Sequence, residues 1–180
     1  VIELVEALCA TGQAQCVLGN HELSVLRGAA KPGNGWYFAD NHDHAAGRFQ
    51  DCRAASPDQR RQFPQFLAGL PLTLSRDDLR VVHAAWHPAS LLALAADAGS
   101  QPLTDIYREY GRHAEQWAQE SALKHAAGNE YRLWHAQLDD EHASVPLLQA
   151  IGRMDEHFQM SNPVRVLTSG VEQLASRTFY

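Results

Sequence analysis

The sequence predicts an α/β fold, a sheet flanked by helices, with a helical lobe inserted at approximately residues 90–160. Three observations carry that expectation. A stretch with helical period at the start hands over to a short β-branched run, Gln15 to Leu18. Two further strand-like runs, Leu72-Thr73-Leu74 and Leu79-Arg80-Val81-Val82, follow at hairpin spacing. From Ser90 to about His157 the apolar residues recur at three- and four-residue intervals, the period of helices. A helix-to-strand step of the first kind suits α/β architecture with a parallel sheet.

Taken in order, Val1 to about Ala10 reads as an amphipathic helix, with Val1, Leu4, Val5 and Leu8 on one stripe and Glu3 and Glu6 off it. Thr11-Gly12 ends it. Gln15 to Leu18 then reads as a buried strand that stops at Gly19, a residue free to adopt backbone angles closed to others, and presents Asn20, His21 and Glu22 in succession. In open α/β sheets ligands sit beyond the carboxyl ends of strands, so these three side chains are candidate ligands and catalysts. Leu23 to Arg27 continues as a helical turn or two. Gly28 to Gly47 is a loop, in which His42 and His44 have a spacing metals can use, although no strand flanks them to fix both rings, so an exposed polar loop is the favoured reading.

Ser56-Pro57 signals a helix start, with Ser56 as N-cap and Pro57 at the first helical position; Phe63, Phe66 and Leu67 recur at helix spacing behind it. The hairpin strands come next, and the second delivers His83 at its carboxyl end, followed by the small residues Ala84 and Ala85. A lone histidine at a strand end is more often a satisfied core group than a ligand, but two such strand ends in one chain shift the balance. In the helical lobe, His113, His125, His135, His142 and His157 are assigned to solvated faces or helix packing, because none has the spacing and acidic neighbour of a metal pair. Asn162-Pro163 reads as a turn into a last strand, Val164 to Thr168.

Bulk properties narrow the function. A chain of 180 residues with 45% hydrophobic content can bury a sizeable core in one domain. A formal net charge of -6 excludes a nucleic-acid binder that works through a broad basic surface, while leaving room for a small anion held by a metal. Three cysteines, Cys9, Cys16 and Cys52, form no metal or disulfide pattern and fit reduced thiols in a cytoplasmic protein. No apolar run approaches the roughly 20 residues that span a bilayer, so no membrane partner is expected. Arg48, Arg53, Arg60 and Arg61 could pair with phosphate, but read as solvated.

Gly19-Asn20-His21-Glu22 after an apolar run, with Val81-Val82-His83-Ala84-Ala85-Trp86 later in the chain, resembles the calcineurin-like metallophosphoesterases. The likeness is greatest to bacterial members related to serine/threonine protein phosphatases and diadenosine tetraphosphatases. The resemblance implies part of a metallophosphoesterase β-sandwich flanked by helices, one incomplete domain over residues 1–180. It also implies two divalent metal ions, manganese first and iron or zinc next, with Asn20 and His83 as ligands of one of them. His21 would stand beside the metals as the catalytic acid serving the leaving group, and Glu22 would orient His21 or the loop backbone. A metal-bound hydroxide would attack the phosphorus of a phosphoprotein or nucleotide substrate.

The family pattern also contains an earlier Asp-x-His, a Gly-Asp-x-x-Asp-Arg loop and a late Gly-His, none of which is present. Together with an uncapped start at Val1, this leads to the expectation of an internal piece truncated at both ends, inactive by itself and weak in metal binding. The rival reading is a non-catalytic binding or scaffold protein on the same fold. A cysteine or serine nucleophile has little support, since Cys16 lies within the apolar run and no Gly-x-Ser-x-Gly is present.

Overall fold

The computed structural model describes residues 1–38, 53–97, 99 and 101–172. His42, His44, Arg48 and Cys52 lie outside the described residues. The chain forms two compact units, one of residues 1–86 with 167–169, the other of residues 87–166 with the remainder.

The architecture corrects the α/β expectation. Helices predominate, and the sheet found among the described residues is a two-stranded antiparallel ribbon, not a β-sandwich. In the first unit, α1 (Ile2–Ala10) is followed by an irregular stretch, α2 (Asn20–Leu26), α3 (Gly35–Phe38), α4 (Pro57–Ala68) and the hairpin β1 (Thr73–Arg76) and β2 (Leu79–Val82). The second unit comprises α5 (Pro88–Ala96), α6 (Leu103–Glu120), α7 (Ala122–Trp134), a 3-10 turn at His135–Gln137 and α8 (Gln149–Met160); α9 (Pro163–Ser169) begins in it.

The helix start at Ser56 is as expected. Ser56 Oγ accepts from the Gln59 backbone N–H at 3.2 Å and Gln59 Oε1 accepts from the Ser56 N–H at 2.9 Å, a reciprocal capping box with Pro57 inside it. Gln59 Nε2 also donates to Glu3 at 2.6 Å, and Gln62 Nε2 to Glu6 at 3.0 Å, which ties α1 to α4. Beneath them Leu18, Leu23, Val25, Phe63 and Leu67 are buried, the contact of α2 with α4 forming the core of this unit. The hairpin is also as expected, with Thr73 opposite Val82 and Arg76 opposite Leu79.

Two strands are not formed. Residues 14–19 run without regular structure, because no described strand lies alongside to complete a ladder; Leu18 donates its N–H to Pro71 O at 2.9 Å, and its side chain is wholly buried. The last expected strand, Val164 to Thr168, lies in α9. Asn162 is the N-cap, its Oδ1 accepting from the Arg165 N–H at 3.3 Å, and Pro163 occupies the first helical position, where its missing N–H costs nothing. That start outweighs the strand preference of three β-branched residues. Gly170 then ends the helix at φ 101°, a left-handed angle that glycine takes without strain.

The second unit is built of helices. Ile106, Tyr107, Ala114 and Ala118 of α6 are buried, as are Ala150 and Gly152 of α8. Glu130 of α7 accepts from the backbone N–H groups of Ala150 and Ile151, both at 2.9 Å, satisfying donors that the first turn of α8 leaves open. His157 stacks on Trp117 with ring centroids 3.9 Å apart and shares hydrogen bonds with Ala114 O and Ser161 Oγ. Its role in packing is the one the sequence suggests.

Candidate functional site

All four residues singled out around the Gly-Asn-His-Glu run lie in the first unit. Gly19 is the N-cap of α2 with φ -100° and ψ 175°, angles open to any residue. Its backbone freedom is therefore not what the position uses. A Cβ at Gly19 would sit 2.6 Å from Glu22 Oε2 and 2.8 Å from both Cε1 and Nδ1 of His83, so the requirement is space. The carboxylate of Glu22 and the imidazole of His83 share the ground directly over the Gly19 Cα. The end of β2 thus brings its histidine to the start of α2.

Asn20 opens α2, and its carbonyl accepts from Ser24 Oγ at 3.0 Å. His21, half-buried, is held by a residue the sequence reading passed over. Asn34, 1% exposed, lies with Oδ1 2.8 Å from His21 Nδ1 and donates from Nδ2 to the His21 carbonyl at 2.9 Å. Glu22 was expected to orient His21 or the loop backbone; the side-chain partner of the His21 ring is Asn34, and the Glu22 carboxylate lies over Gly19. A signal for Asn34 was present, since an asparagine between two glycines directly after Pro32 is poised for a tight turn that aims its side chain inward. His83 itself is largely exposed, with Arg80 of the same strand stacked over Trp86 at 5.2 Å.

Cys16, just ahead of the run, has its thiol pushed up by burial, with the Cys9 sulfur and the Glu22 carboxylate adding to the effect. A thiol so disfavoured as thiolate is a poor nucleophile, in keeping with a packing role. Cavities of about 480 and 560 Å³ lie elsewhere, the first between Ile2, Trp36, Gln59 and Phe63, the second between Leu138, Pro146, Leu148 and Ile151; none of Asn20, His21, Glu22 or His83 lines either.

A carboxamide, an imidazole and a carboxylate are donors of a kind that manganese, iron or zinc accepts. In number they fall short: among the described residues no group of three or more His, Cys, Asp or Glu side chains is gathered to hold a metal ion. What the site defines at the level of class is a helical protein that sets two histidines and a carboxylate around one helix start. No family model matches the chain, and no curated protein or solved structure matches it either. Among the described residues no helix is long and apolar enough to cross a membrane.

Proposed function

We propose that this chain carries part of the active site of a metal-dependent phosphoester hydrolase. The supporting observation is the meeting of His83 and Glu22 over Gly19, which joins the two separated motifs at one place. In this reading Asn20 and His83 hold a divalent metal ion, manganese foremost, through an amide oxygen and an imidazole nitrogen. Such a metal, when bound, would supply a polarised water as the nucleophile. His21 gives a proton to the departing alkoxide, as an imidazole set beside a reacting group can do. Glu22, whose carboxylate lies over Gly19 on the side where His83 arrives, orients His21 or the loop backbone. The substrate is a phosphomonoester or phosphoanhydride of a phosphoprotein or nucleotide, and a cytoplasmic location accords with the sparse, unpaired cysteines.

A second reading is a binding or scaffold protein without metals on the same fold. Manganese added to 15N-labelled protein separates the two. Paramagnetic broadening confined to Gly19–Glu22 and His83 is expected, lost in His83→Ala and retained in His21→Ala. Broadening that is absent, or that centres elsewhere, defeats the hydrolase reading in favour of the scaffold.

A further inference from the structure

The Asn34–His21 pair has a consequence for which ring atom faces the chemistry. Asn34 donates from Nδ2 to the His21 carbonyl at 2.9 Å, so its Oδ1 is the atom left facing the ring, 2.8 Å from Nδ1. An amide oxygen has no hydrogen to give, so the hydrogen in that contact belongs to Nδ1. The reverse orientation of the carboxamide would press its oxygen against the His21 carbonyl oxygen, two acceptors with nothing between them.

The clamp is itself held. Asn34 donates its backbone N–H to Lys31 O at 2.9 Å, and its carbonyl accepts from Tyr37 at 3.0 Å and Phe38 at 3.2 Å, the first turn of α3. Gly33, at φ 91°, makes the turn that points Asn34 inward. With the side chain 1% exposed, water does not compete for the contact.

We infer that Asn34 is a positioning residue for His21: it fixes the ring in the Nδ1–H form, leaving Nε2 as the atom that exchanges a proton with a phosphoester leaving group. The assignment of Nε2 to the leaving group rests on the hydrolase reading above, whereas the clamp does not. A neutral ring in this form offers a lone pair at Nε2, and a protonated one donates from the same atom, so one geometry serves both halves of a proton-transfer cycle.

Long-range 1H–15N correlation of the His21 ring, recorded across a pH series with the neutral form taken from its alkaline plateau, reads the form directly. A protonated Nδ1 and an unprotonated Nε2 are expected in the wild type. Asn34→Ala should move the pattern toward the mixture of an unconstrained ring, whereas Asn34→Asp, which keeps an acceptor facing Nδ1 but loses the donor to the His21 carbonyl, should retain the Nδ1–H pattern with a looser hold on the backbone. A wild-type ring protonated at Nε2, or a pattern unchanged in Asn34→Ala, overturns the inference. If Asn34→Ala does not fold, the wild-type and Asn34→Asp spectra decide. The manganese broadening around Gly19–Glu22 and His83 is recorded on the same samples, as a readout of the hydrolase reading separate from the clamp. The expected ring pattern without that broadening leaves the clamp standing and removes the hydrolase reading alone.

Discussion

Gly19 illustrates how a residue can be identified for one property and used for another. Its place at the end of an apolar run suggested unusual backbone angles, yet its φ of -100° is ordinary, and what it supplies is a missing side chain beneath His83 and Glu22. The atoms a methyl group would strike are the tip of a glutamate and one edge of a largely exposed ring, both free to swing aside. Gly19→Ala should therefore cost little, within about 1 kcal/mol of unfolding free energy by urea titration. It should nevertheless displace the His83 ring, visible as a shift of its side-chain resonances and as loss of the manganese response. Steric neighbours of this kind come from distant parts of the chain and leave no mark in local sequence. Asn34 was more accessible to reading, since its glycine-flanked position announces a turn, although nothing local says that His21 waits on the other side.

At the scale of elements, what was legible depended on whether the signal was local. The hairpin and the helix start at Ser56 are written in contiguous residues and formed as read. Gln15 to Leu18 has the composition of a strand, but a strand is a relation between two segments, and none of the described segments supplies the second half of a ladder. Val164 to Thr168 departs from a strand for a different reason: Asn162-Pro163 has the same cap-then-proline grammar as Ser56-Pro57 and as His87-Pro88, where the imidazole Nδ1 accepts from the Ser90 N–H at 3.3 Å. Asn162 does two jobs, because its Nδ2 also donates to Tyr107 O at 3.0 Å while the residue is 2% exposed. Asn162→Ala removes a cap and a buried hydrogen bond to a helix carbonyl, so a loss of about 1–3 kcal/mol is expected in urea unfolding. Asn162→Asp, which keeps the cap acceptor and lacks the donor, should fall between the two.

For the molecule as a whole, the pattern of helices was more legible than the way they assemble, and one acid records the difference. Asp155 on α8 has its carboxyl pushed above the ordinary aspartate value by burial, with the Glu172 carboxylate contributing next. Nothing in the spacing of α8 marks that position. The folded state therefore holds the proton more tightly than the unfolded chain. This linkage favours folding fully below about pH 4 and is lost as pH rises through the raised value. Asp155→Asn should accordingly raise the unfolding midpoint at neutral pH and converge with the wild type in acid, which thermal unfolding from pH 3 to 7 would measure. A constant offset across that range would instead indicate a packing effect.

The single carboxamide of Gln59 has an effect beyond its bond lengths. Its oxygen completes the first turn of α4 while its nitrogen grips Glu3, 56 residues away along the chain. Fraying of that turn and loosening of α1 are thereby coupled, so Gln59→Ala should speed hydrogen exchange in both segments, whereas faster exchange in the first turn of α4 alone would show that they open separately.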